Sequence, residues 1–230
     1  MFIPIGDSNI RLRKPYITYG IIIANFAVYF YQLGLPHNEL RQWFFTLGVV
    51  PSRVFSGELI FTIKTLFTSL FVHGSFAHIA GNMLYLWIFG DNIEGTLGHF
   101  KYAVFYLCCG IFASLVQIFI NPLSDLPIIG ASGAISGILG SYLVKYPRAK
   151  VHVIIFLIFF IQKISIPAVY VLGFWFLIQL TNGLGALSFQ QEGGVAWFAH
   201  IGGFLMGIFL LLMFDPYERK RLWREMNRYQ

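Results

Sequence analysis

The chain has 230 residues, of which 57% are hydrophobic and only 11% charged, and 25 of them are phenylalanine. A soluble domain carries about 25% charged residues, so a water-solvated globule or nucleic-acid-binding module is excluded and lipid is the expected solvent. The net charge of +6 then reports membrane topology rather than affinity for nucleic acid.

Residues 1–15 carry Arg11, Arg13 and Lys14 and are expected to form a basic cytoplasmic N-terminus. The apolar run Tyr16–Leu33 is long enough to span a bilayer. No small-residue cleavage site follows it, so it reads as a retained span rather than a signal peptide. The connection from Gly34 to about Ser75 is too long to be structureless and is expected to hold a folded, partly apolar substructure. Within it, Leu59–Val72 is short for a span and is broken by Lys64, which suits a re-entrant or interfacial piece.

The second span is expected from Phe76 to about Phe89, ended by Gly90-Asp91-Asn92, and it contains His78 and Asn82. The third runs from Phe100 to Ile120. Cys108 and Cys109 lie inside it; as neighbours they cannot staple distant segments, and they read as packing residues. The fourth span, Ser132–Tyr146, closes at Lys145 and Pro147. Val153–Ile161 would make only about 14 Å of helix against a hydrocarbon core of about 30 Å, so it is expected to lie on the cytoplasmic face. A fifth span from Pro167 to about Leu184, a Gly193-Gly194 loop and a sixth span, Val195–Phe214, precede a basic tail, residues 215–230.

Six spans put both termini on one side. Of the 16 Lys and Arg residues, all but Arg41, Arg53 and Lys64 share that side, which the positive-inside rule makes cytoplasmic. The expected fold is an all-α polytopic membrane protein, a single domain whose six-helix core covers residues 16–214.

The stretch Ile129–Gly140 carries the strongest chemical signal. Gly133, Gly137, Gly140 and Ser141 share one helix face, and such a small-residue stripe lets another helix backbone approach closely. Gly203 and Gly207 on the sixth span are natural partners for it. A fourth span of about 22 Å, measured from the cytoplasmic side, leaves Ser132 roughly 8 Å below the outer face; His200 and Asn82 fall roughly 7 and 9 Å below it. Three polar residues on three helices therefore share a level, and an ionisable residue inside a span is functional by default. His200 could serve as general base to Ser132. No Asp or Glu lies inside an expected span to orient it, so the pair would be a dyad. Asn82 and His78, at i and i+4, can both face a developing oxyanion, as can the Ser132 N–H at its helix N-terminus.

His73-x4-His78-x3-Asn82, Gly130-Ala131-Ser132-Gly133 and Ala199-His200-Ile201-Gly202-Gly203 occur in that order. Their order and helix positions resemble the rhomboid family of intramembrane serine proteases, over nearly the whole chain. The resemblance implies a six-helix rhomboid-like bundle with a long, partly embedded first loop. It also implies Ser132 as nucleophile, His200 as base, and Asn82 with His78 as oxyanion donors. The implied substrates are single-span membrane proteins in the lipid bilayer, cut near its outer face after a small residue, with no metal or cofactor. The alternative is a catalytically inactive rhomboid-like protein that binds membrane clients; such relatives usually lack the Ser or the His, and this chain has both.

Two positions depart from the family pattern. Trp43 is followed by Phe44 rather than Arg, and Ser136 stands where some members place an aromatic, four residues after the nucleophile. A His-Glu-x-x-His metalloprotease is excluded by its missing motif. Asp91 and Glu94 sit together at one helix end, not as facing aspartyl-protease carboxylates, and no internal repeat suggests a transporter. The lack of a recognisable transit peptide points to a bacterial-type plasma membrane.

Overall fold

A computed structural model describes residues 2–10, 12–55, 59–157, 160–189 and 195–217. Arg11, the Gly193-Gly194 loop and the basic tail beyond Tyr217 lie outside the described residues. In chain order the elements are β1 (Phe2–Asp7), α1 (Tyr16–Leu33), α2 (His37–Leu47), α3 (Pro51–Val54), α4 (Leu59–Thr68), α5 (Phe76–Leu97), α6 (His99–Ile120), α7 (Ser132–Lys145), β2 (Lys150–Leu157), β3 (Phe160–Pro167), α8 (Ala168–Phe189) and α9 (Trp197–Phe214). The chain is mostly helical. Helices α1, α6, α8 and α9 are long and apolar enough to cross a bilayer, and α4 with its following turn meets α5 at 81° to make a fifth, bent candidate. Helix α7 has 14 residues, about 21 Å, and is buried along almost its whole length.

Two expectations need correction. The fold is not all-α: β1, β2 and β3 form an antiparallel sheet in that order. The described part of that stretch, residues 153–157 and 160–161, lies in the paired strands β2 and β3, with Lys150 paired to Pro167 and Ile155 to Gln162. Val151 and Val153 are buried while Lys150 is exposed, the period-two pattern of a half-buried strand of β-branched residues. The other edge is filled from the N-terminus, where Ile3 pairs with Ile154 and Asp7 with Val151.

The second correction concerns α5, which runs through Gly90-Asp91-Asn92 to Leu97. Its polar residues have protein partners, so the helix has no reason to stop. Buried Glu94 accepts from Ile17 N (2.9 Å), Thr18 N (2.8 Å) and Thr18 Oγ1 (2.7 Å), satisfying N–H groups that the first turn of α1 would otherwise leave unpaired. Asn92 Nδ2 donates to Asp7 Oδ2 at 3.0 Å. The helix stops at Gly98, where φ is +77°.

The long first connection is folded, as expected, into α2, α3, α4 and one 3-10 turn, Ser69–Phe71. Where a Trp-Arg pair is missing, Arg53 serves the loop. Its guanidinium lies 5.8 Å from the Phe45 ring and 5.9 Å from the Phe61 ring, and it donates to the Phe45 carbonyl at 3.2 Å. Trp43 packs on Tyr31 instead, with ring centroids 5.0 Å apart.

At the centre, α7 crosses α9 backbone to backbone. A Cβ added at Gly203 would overlap the Gly133 carbonyl, one at Gly207 the Gly137 carbonyl, and one at Gly140 the Phe204 carbonyl. Ser141 Oγ donates to the Gly207 carbonyl at 2.8 Å. Buried Cys109 fills the other flank, its sulfur 2.5 Å from where a Gly137 Cβ would stand. Only glycine permits this approach.

Candidate active site

Ser132 opens α7 after a turn that is pinned on three sides. Gly130 N donates to the Ser69 carbonyl at 2.9 Å, and Ile128 exchanges backbone hydrogen bonds with Val49. Gly130 has φ +113°, a conformation that side-chain-bearing residues rarely adopt. A Cβ there would also stand 2.6 Å from His78 Nε2 and 3.5 Å from Asn82 Nδ2. Both side chains ride the first turns of α5, whose start is capped by Ser75 Oγ accepting from His78 N at 3.2 Å. The turn before Ser132 thus brings His78 and Asn82 together against Gly130.

His73 organises this cluster from below. Its buried Nε2 accepts from Asn82 Nδ2 at 2.9 Å and from Ala131 N at 3.5 Å, and its ring meets His78 edge-on at 4.9 Å. The His73 carbonyl in turn accepts from Gln32 Nε2 on α1. One amide N–H of Asn82 is used on His73, which fixes the amide plane and leaves a second donor.

His200 is the fourth residue of α9 and is 9% exposed. Its Nε2 lies 2.8 Å from Ser132 Oγ, a hydrogen bond between two helices whose glycine stripes bring them into contact. Gln117 on α6 accepts from Ala199 N at 3.2 Å and so anchors the first turn of α9. The other imidazole nitrogen, Nδ1, lies 2.8 Å from Gln179 Oε1 on α8. The sequence offers no carboxylate partner for the imidazole within the expected spans, and this amide stands in that place. The available signal was a lone glutamine in an apolar helix, one turn after Trp175.

Ser136 bonds back to the Ser132 carbonyl at 2.7 Å. An aromatic contact to the imidazole comes from α8 instead: the Trp175 ring lies 6.0 Å from His200 at 35°, and Trp197 meets it edge-on at 6.3 Å.

A serine hydroxyl hydrogen-bonded to a buried imidazole at a helix N-terminus, with His78 and Asn82 packed against the turn before it, holds the kinds of group that acyl transfer requires. Residues 61–216 match the rhomboid domain. The chain belongs to the rhomboid family. It is 31% identical over 146 residues to the mitochondrial rhomboid protein 1 of Saccharomyces cerevisiae, covering 61% of this chain and 38% of that one. Against the chloroplastic rhomboid-like protein 11 of Arabidopsis thaliana it is 30% identical over 170 residues, 70% of this chain and 56% of the relative. Against the mitochondrial presenilin-associated rhomboid-like protein of Rattus norvegicus the figures are 26% over 209 residues, 89% and 49%. The chain therefore spans roughly half or less of the rhomboid relatives it matches.

Proposed function

We propose that this rhomboid is an intramembrane serine endopeptidase working through a Ser132–His200 dyad. The observation that carries the reading is the 2.8 Å hydrogen bond from Ser132 Oγ to His200 Nε2 at a buried helix crossing. Ser132 Oγ attacks the scissile carbonyl carbon while His200 Nε2 takes its proton. The carbonyl oxygen becomes an oxyanion, which Asn82, His78 and the Ser132 N–H stabilise. Collapse of the tetrahedral species breaks the peptide C–N bond, and the imidazolium returns the proton to the departing amine. Water then attacks the acyl-serine with His200 again as base, releasing the acid and restoring the hydroxyl.

The substrate class is a single-span membrane protein reaching the site through lipid. The working topology is a single six-span domain of α1, α5, α6, α7, α8 and α9 with both termini cytoplasmic, a reading supported by the basic-residue asymmetry. The curated relatives bear mitochondrial and chloroplastic names and give no support to a bacterial-type plasma membrane in particular.

Asn82→Ala tests the oxyanion assignment. Turnover of a reconstituted substrate falls by roughly 10²–10³, the usual loss for one such donor, with little change in KM because the donor acts in the transition state. His78→Ala loses less, since Asn82 and the backbone N–H remain. A defect confined to KM would reassign Asn82 to substrate docking.

A further inference from the structure

We propose that Gln179 is a positioning residue that locks His200 in the one tautomer able to act as base, an inference that rests on the dyad chemistry above. A neutral imidazole carries a single N–H, on Nδ1 or on Nε2. If it sits on Nε2, that nitrogen donates to Ser132 and no base remains. If it sits on Nδ1, Nε2 is free to accept the serine proton. Geometry at Ser132 alone does not choose, because a hydroxyl can donate or accept.

The choice is made two residues away. Gln179 Nε2 lies 3.2 Å from the Trp175 carbonyl oxygen, one turn back on α8. A carbonyl only accepts, so the NH₂ end of the amide must face it and Oε1 must face His200. Oε1 also only accepts, so Nδ1, 2.8 Å away, must carry the hydrogen. Donation then runs in a single direction, from Ser132 to His200 to Gln179 to the Trp175 carbonyl. Gln179 is only 4% exposed, so bulk water does not offer Nδ1 an alternative partner. Reversing any link would set two acceptors, or two donors, against each other in an apolar interior.

The same bond strengthens when His200 takes the proton, because a donor that becomes charged makes a stronger hydrogen bond. As a neutral amide, Gln179 orients the ring without placing a carboxylate in the span. The Trp175 ring beside the imidazole adds a packing contact from the preceding turn of α8. This helix thus does the orienting that a carboxylate would do in a triad and the flanking that Ser136 cannot.

Packing and positioning roles predict opposite orders for two variants. Gln179→Met preserves volume in an apolar setting and removes the acceptor; Gln179→Glu, as the neutral carboxylic acid, keeps an acceptor toward His200 and a donor toward the Trp175 carbonyl at the same reach. Positioning expects Gln179→Met to lower kcat by about 10–100-fold with KM unchanged, the scale of loss seen when the hydrogen-bond partner on the far nitrogen of a metal-ligating histidine is removed. It expects Gln179→Glu to recover most of that loss. A packing role expects the Met variant to be the active one. The second readout is nitrogen-15 NMR of histidine-labelled protein in detergent, with His200 assigned by its disappearance in His200→Ala. Wild-type His200 shows the Nδ1–H tautomer and the Met variant a mixture or Nε2–H. An Nε2–H wild type, or a Met variant that keeps wild-type kcat and pure Nδ1–H, overturns the assignment. If the Glu variant fails to insert, the Met variant's tautomer decides alone. Wild-type activity that survives Ser132→Ala would instead overturn the dyad itself.

Discussion

Ser132→Ala and His200→Ala each reduce cleavage of a reconstituted single-span substrate to background, and the double variant loses no more. In the proposed mechanism the 2.8 Å bond between Ser132 Oγ and His200 Nε2 couples nucleophile and base in a single step, and residues that act as a unit are grossly non-additive. Without the imidazole the hydroxyl has nowhere to send its proton; without the hydroxyl the imidazole has nothing to activate. Both substitutions reduce the bulk of a side chain and leave the glycine crossing intact, so insertion and folding are expected to be unchanged. Independent, multiplicative losses measured in the same vesicles would show that the two side chains do not share a step.

Leucine at Gly137 or Gly207 gives the second large effect, again to background, without touching a catalytic group. A side chain at Gly207 meets the Gly137 backbone, and one at Gly137 meets Cys109 and the Gly203 carbonyl. None of these is the flexible end of a long side chain, so Gly207→Leu must part α9 from α7, and Gly137→Leu must push α7 off Cys109 on α6 and displace it against α9. A misplacement of 1 Å costs on the order of 10²-fold in rate, and a backbone overlap demands more than that. Membrane insertion is expected to persist, because leucine is favourable in a spanning helix. The check is a cleavage assay on protein shown by protease protection to be inserted. Near-wild-type turnover in both variants would mean that the crossing does not set the distance between Ser132 and His200.

The helices were legible because long apolar runs leave few alternatives. Tyr16–Leu33 has the same bounds in sequence and structure, and α7 ends one residue before the expected Tyr146. The end of α5 was not legible. Gly90-Asp91-Asn92 looked like a polar stop, but the helix continues through Glu94, whose partners are the first N–H groups of α1, far away in sequence. The sheet was missed for a related reason: alternation in Lys150–Val153 marks a strand, yet the strand is completed by Phe2–Asp7 from the opposite end of the chain. At the site, motif spacing and helix depth put Ser132 and His200 at one level, and the structure sets them 2.8 Å apart. Gln179 was not legible because a neutral glutamine in an apolar helix carries no charge signal, and the direction its amide faces is recorded by no spacing rule.

The most direct measurement is mass-spectrometric mapping of a fluorophosphonate adduct on the reconstituted protein. The reagent forms a P–O bond to an activated serine and expels fluoride, so it reports the nucleophile without requiring a known substrate. The account expects a single adduct, on Ser132, that is lost in His200→Ala and weakened in Gly137→Leu and Gly207→Leu. Labelling on another serine, or none under conditions where a control serine hydrolase reacts, would contradict it.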